Sequence, residues 1–237
     1  MQAIWLAFFI CKPFDLLFAN ASRMTCGMTH LHAVLTGDLI LSTRSTPAQV
    51  DDTMARIEAA AQKISNTVRF HRYRGDGWQV YLGAAGRGLA AMVFIAAQLR
   101  AAGALSSRMA LGLGDASDFD QDSLGTAGGT AFVHSGRALD AIGEGKALAL
   151  AGQGVDPLHH ALMAYLDAQV QGWSQEQAEA VALSLDPDGP HSQQVLADRL
   201  GISRQAFASR LSAAGFDLTR QATRAFAAQF AGGSTDD

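Results

Sequence analysis

The sequence predicts an α+β sandwich followed by an all-α tail, and three observations carry that prediction. The first is size and composition. The chain has 237 residues, 49% hydrophobic and 17% charged. That is enough apolar surface to repay the entropy of ordering one large domain or two small ones. The second is the alternation of short apolar runs with helical periodicity between residues 32 and 151. The order is strand, helix, hairpin, helix, strand, helix, strand, which suits helices covering one face of a mainly antiparallel sheet. The third is the change to purely helical patterning after Asp156-Pro157.

Each element has a local reason. Residues 32–41 (HAVLTGDLIL) form an apolar run carrying Gly37-Asp38, a buried strand. Thr46 is a helix N-cap with Pro47 at the first helical position. Val50, Met54, Ile57, Ala61 and Ile64 then recur at helical spacing on one face. Residues 68–82 alternate on both sides of Gly75-Asp76-Gly77, a hairpin in which Asp-Gly supplies positive φ. Residues 83–88 (GAAGRG) lack the Lys-Ser/Thr of a P-loop and read as a connector. A buried helix over 89–101, a strand over 108–114, an acidic Gly-rich loop over 115–129, a helix over 130–142 and a strand over 146–151 complete this half.

Asp156-Pro157 opens a helix with Leu158, Leu162, Leu166 and Val170 in one stripe, either a spacer between two domains or, in a single-domain reading, a helix packed on the sheet. Three short helices follow, starting at Ser174, Ser192 and Ser203, the first with a Ser174/Gln177 capping box. Residues 192–215 read as a helix-turn-helix. Val195, Leu196 and Leu200 point inward, Gly201 takes the turn, Ile202 plugs the core, and Phe207 and Leu211 anchor the second helix. The expected organisation is an N-terminal extension over 1–27, an α+β domain over 28–152, a connecting helix over 153–172, a helical domain over 173–230 and a disordered tail over 231–237.

Several function classes are excluded. The net charge is −4, from 18 Lys+Arg against 22 Asp+Glu, so the protein is no globally basic coat for nucleic acid. The two cysteines, Cys11 and Cys26, sit at one end and supply neither a disulfide framework nor a zinc site for the body. No apolar stretch reaches the roughly 18–20 residues that span a bilayer, and the first 27 residues lack the basic n-region of a secretory signal. Met28 is the expected start of the folded part, and a cytoplasmic location is the expectation.

Two sets of residues carry chemistry. In the tail, Arg199, Arg204, Arg210, Arg220 and Arg224 face only Asp217 within residues 199–224, a local basic patch in an acidic region. Arg199, Ser203, Arg204, Gln205, Ser209 and Arg210 are the expected contacts to DNA bases and phosphates. In the α+β half, Asp38 and Asp76 fall at the ends of strands that pair. Two such carboxylates repel unless a cation separates them, and Mg²⁺ is the natural one. Ser42, Thr43, Arg72, Arg74 and Arg137 add hydroxyls and positive charge suited to a phosphate or nucleotide. The adjacent His159 and His160 diverge on a helix and cannot share a metal.

These pieces carry a resemblance. Asp38-Leu39-Ile40-Leu41-Ser42-Thr43 and Gly75-Asp76 look like the two metal-aspartate segments of class III nucleotidyl cyclases. More closely, the chain resembles the SatD family of bacterial proteins. The matching pieces are Gly37-Asp38-Leu39-Ile40 with Ser42 and Arg44, Gly75-Asp76-Gly77-Trp78-Gln79, residues 108–114, Gly129-Thr130-Ala131-Phe132 leading to Arg137, Trp173-Ser174 and the helix-turn-helix. The resemblance implies a ferredoxin-like, cyclase-like domain joined to a DNA-binding tail. Val133 stands where cyclases place an Asn, and Arg72 where they place a base-selecting Lys. Loss of such groups lowers phosphoryl transfer by orders of magnitude.

The expected function is therefore a homodimeric transcription regulator whose cyclase-like domain binds a nucleotide or related phosphate ligand with Mg²⁺, with little or no turnover. An active Mg²⁺-dependent nucleotidyl cyclase and a non-catalytic interaction module are the alternatives.

Overall fold

The structure, a computed structural model, describes residues 31–73, 75–117, 124, 127–189 and 192–231. The expected extension, Arg74 and nearly all of the expected tail lie outside these residues. Five strands and eight helices alternate: β1 His32–Leu39, α1 Pro47–Ile64, β2 Arg69–Tyr73, β3 Gly77–Ala84, α2 Gly88–Ala101, β4 Ser107–Gly114, α3 Thr130–Asp140 and β5 Leu148–Gly152. The helices α4 Pro157–Gly172, α5 Gln175–Leu185, α6 Gln193–Arg199, α7 Arg204–Ala213 and α8 Phe216–Gln229 follow. Among the described residues no helix is long and apolar enough to cross a membrane.

Helix starts follow the local signals. Thr46, Asp156 and Ser174 each cap a helix through a reciprocal box, with Gln49, His159 and Gln177 as partners. The hairpin differs in detail. Its positive φ falls on Gly75 at +79°, while Gly77 lies within β3 in ordinary extended backbone. The stripe on α4 is also shifted. His159, Met163, Leu166, Asp167 and Val170 are buried, while Leu158 is 76% exposed. The first-turn capping box rotates His159 inward, where its ring meets Phe226 and Phe230 of the C-terminal end.

The sheet order is β2-β3-β1-β4-β5. All neighbours are antiparallel except β4 and β5, which run parallel, so the sheet is mixed. α1 and α2 cover one face over Leu35, Trp78, Val80, Leu111 and Leu113. Contrary to expectation, α3 covers the other face. A Cβ on Gly112 would lie 2.1 Å from the Ala131 carbonyl oxygen, so α3 seats directly on bare β4 backbone. The α2 and α3 crossovers step the same way across the sheet between parallel strands but on opposite faces, so they have opposite hands. A right-handed connection is the strong general preference.

The C-terminal helices do not hang from a linker. α5 packs along α2, and one buried cluster runs from Leu35 and Met92 through Trp173 and Val181 to Phe207 and Phe226. Trp173, at the expected junction, is 2% exposed, and its indole N–H donates to the Ala214 carbonyl at 2.9 Å. α4 packs against β5 at the sheet edge rather than acting as a free spacer. α8 was not foreseen as a separate helix, although Phe216, Thr219, Thr223 and Phe226 recur at helical spacing and are buried.

Candidate functional site

The antiparallel register sets Asp38 of β1 opposite Gly77 of β3 and Arg108 of β4. Asp76 is the residue before Gly77, and its carbonyl accepts from the Leu39 N–H at 3.2 Å. The two acids therefore do reach one end of the sheet, as the sequence predicts. Three of their four carboxylate oxygens are already engaged. Arg108 donates from Nε to Asp38 Oδ1 at 2.9 Å and from Nη2 to Oδ2, a two-point grip. Ser42, in a 3₁₀ turn that follows left-handed Leu41, donates its hydroxyl to Asp76 Oδ2.

Arg108 is held protonated more firmly than usual. The largest cause is its hydrogen bond to Asp38, opposed by burial and reinforced by the charges of Asp38, Asp140 and Asp76. Asp38 is the carboxylate that Arg108 grips, and Asp140 and Asp76 act on it only through their charge. A divalent ion needs carboxylate oxygens of its own. Both Asp38 oxygens carry guanidinium N–H groups, and among the described residues no cluster of three or more His, Cys, Asp or Glu assembles that holds a metal. The residues present do not fit Mg²⁺ here, because Arg108 supplies the positive charge a metal would bring. Sequence reasoning missed Arg108; the available signal was a lone cation heading an otherwise apolar strand.

Beside this pair, Ser42, Thr43, Arg72 and Asp76 line a cleft of about 390 Å³. The structure brings these four of the predicted residues to one cleft. Arg72, however, donates to the Gly75 carbonyl at 2.8 Å and to Asp51 of α1 at 2.7 Å. Among the described residues that line the cleft, one guanidinium, Arg72, stands with two carboxylates, Asp51 and Asp76. Arg137 is not in this pocket. It is exposed and lines a separate cleft between α3, β5 and α4, while Val133 is 46% exposed. Arg74 lies outside the described residues.

The histidines are mostly structural. His159 is 6% exposed, caps α4 with Asp156, and meets Gln229 Oε1 at 3.1 Å. His134 meets the Leu113 carbonyl at 2.8 Å.

In the tail, α6, a short turn and α7 form the expected helical hairpin. Gly201 takes left-handed φ of +64°, the Ile202 N–H donates to the Ala197 carbonyl at 3.1 Å, and Ser203 caps α7 by accepting from the Ala206 N–H at 3.1 Å. Leu196, Ala197, Phe207 and Leu211 are buried. Val195 is 42% exposed and does not serve the core. Arg199, Ser203, Arg204, Gln205 and Ser209 are all exposed. Arg199 and Arg204 make no ion pair among the described residues. Arg210 differs, donating to Glu179 of α5 at 3.0 Å, so it ties α7 to its support instead of facing outward.

Comparison with known proteins adds no relative: no family model matches the chain, and no curated protein matches it.

Proposed function

We propose that this protein is a DNA-binding regulator in which α7 is the reading helix. The observation that carries the proposal is the pairing state of the tail's arginines. Arg199 and Arg204 stand exposed and without an ion pair among the described residues, at the end of α6 and the start of α7, beside Gln205 and Ser209, on a hairpin whose Leu196, Ala197, Phe207 and Leu211 are buried. Exposed cations at the N-terminal end of a second helix suit phosphate contact, and adjacent amide and hydroxyl groups suit base edges. The strand order also supports the SatD-like reading. β4-β1-β3-β2, with every pair antiparallel, is the order of a ferredoxin-like split βαβ unit, to which β5 is added. Dimerisation belongs to the same proposal, since paired reading helices address half-sites about 34 Å apart.

A Mg²⁺-nucleotide at Asp38 and Asp76 is not part of this proposal, because Arg108 already occupies both Asp38 oxygens and Arg72 is paired with Asp51. The test is fluorescence anisotropy with a pool of random-sequence duplexes, followed by selection of the tightest binders. Two free arginines predict a log–log salt slope of about −2 per reading helix. Absence of salt-dependent binding by folded protein overturns the proposal.

A further inference from the structure

The geometry points to a binding site for a small amphipathic anion in the cleft between α3, β5 and α4. The cleft has a volume of about 450 Å³, within the range of small-molecule sites. Its base is β5, the edge strand, where Ala149 and Ala151 turn their short side chains to the α3 side. Small side chains at those two positions leave a recess between the two helices. Ile142 and Met163 add apolar walls. The site stands whether or not the tail binds DNA.

Arg137 and Lys146 line the same cleft. Both are exposed, and neither makes an ion pair among the described residues. Arg137 lies in the last turn of α3, where the helix dipole favours a cation. The dipole does not account for a second cation beside it on the following loop. Among the described residues one acid lines the cleft, Asp167, and it is 5% exposed. Its Oδ1 accepts from the Ala147 and Leu148 N–H groups, both at 3.1 Å, and from the Gln171 amide at 2.9 Å. Asp167 is thereby committed to holding the start of β5. Two cations, an apolar recess and a committed acid define an acceptor for one carboxylate, sulfonate or phosphate attached to an apolar body. The contrast with the hairpin cleft is direct, since there Arg72 is met by Asp51.

The test uses 1-anilinonaphthalene-8-sulfonate as the probe, with decanoate and decanamide as competitors, on the full chain. One saturable class of sites is expected. Decanoate displaces the probe at least tenfold more effectively than the neutral amide. A Arg137→Gln/Lys146→Gln double variant, with an unchanged thermal midpoint and circular dichroism spectrum, binds the probe at least tenfold more weakly. Unchanged probe affinity in that variant overturns the site. Equal displacement by the amide overturns its anion selectivity and with it the assignment, as does the lack of any saturable signal.

Discussion

The hairpin-end cleft and the β5-edge cleft are similar in size and differ in the pairing of their cations among the described residues. At the hairpin end, each arginine named by the geometry has found an acid: Arg108 holds Asp38 and Arg72 holds Asp51. At the β5 edge, Arg137 and Lys146 face a recess whose one acid is bonded to backbone. Residue types alone make the hairpin end look like the phosphate site, since it has hydroxyls, carboxylates and an arginine. Pairing decides otherwise. A charge that is compensated within the fold has little left to offer a ligand, whereas an uncompensated one gains from every counter-charge that arrives.

The comparison breaks most violently beneath α3, which forms one side of the β5-edge cleft. Gly112→Ala places a Cβ against the Ala131 carbonyl and the Ser135 N–H. It is expected to cost about 3 kcal/mol or more, at the upper end of overpacking, read as a lowered urea midpoint. Because it lifts α3, it should abolish sulfonate-probe binding at the β5 edge.

The distinction between paired and unpaired arginines extends to the tail. Arg199→Ala with Arg204→Ala should weaken binding to duplex DNA about tenfold or more and flatten its salt slope. Arg72→Ala should leave DNA affinity within twofold. Equal losses in both would show that pairing state does not predict which arginines meet a partner.

Within the hairpin end, Arg108→Ala strips Asp38 of its two-point partner and is expected to lower stability by about 1 kcal/mol, a value moderated by solvent at this half-exposed pair. Arg137→Ala, which breaks no ion pair, should stay within about 0.5 kcal/mol. Ser203→Ala removes the α7 cap and should also cost about 1 kcal/mol. Chemical denaturation distinguishes these cases.

The smallest effect is a pH dependence. The Asp156 carboxyl is held below the usual carboxylate range, chiefly by the His159 backbone N–H and then by its ring. Asp115 is lowered likewise by the Thr130 hydroxyl and backbone N–H. A carboxyl whose folded pKa is depressed contributes stability above its unfolded value near 4, and that stability is lost as pH falls through the folded value. Thermal midpoints should therefore fall more steeply below about pH 4 in the parent than in Asp156→Asn, which no longer titrates there.

Much of the fold was legible because its signals are local. Thr46-Pro47, Asp156-Pro157 and Ser174 with Gln177 mark helix starts through contacts within one turn. The turn at Gly201 and the cap at Ser203 are of the same kind. The candidate site was legible only as an inventory. Asp38, Ser42, Thr43, Arg72 and Asp76 do gather at one sheet end, since strand ends and a hairpin turn bring them there. Their partners, Arg108 and Asp51, come from a separate strand and a helix face, and no short motif announces them. Val195 and Leu158 show the same limit, because a shift of one residue in helical phase turns a side chain by about 100°.

The sequence by itself determined most of the elements, the helix starts at Thr46, Asp156, Ser174 and Ser203, the burial of Leu196, Phe207 and Leu211, and the arrival of Asp38 and Asp76 at one end of the sheet. Those features depend on backbone preferences and on periodicity, which act over a few residues. Only the tertiary structure decided that α3 takes the second face of the sheet, that the helical tail shares one core with α2, and that Gly86 must be bare where the Ala227 carbonyl of α8 would lie 2.9 Å from a Cβ. It alone also decided which charges are spent and which are free. An ion pair depends on distance between residues far apart in the chain, and that distance exists only once the layers have packed.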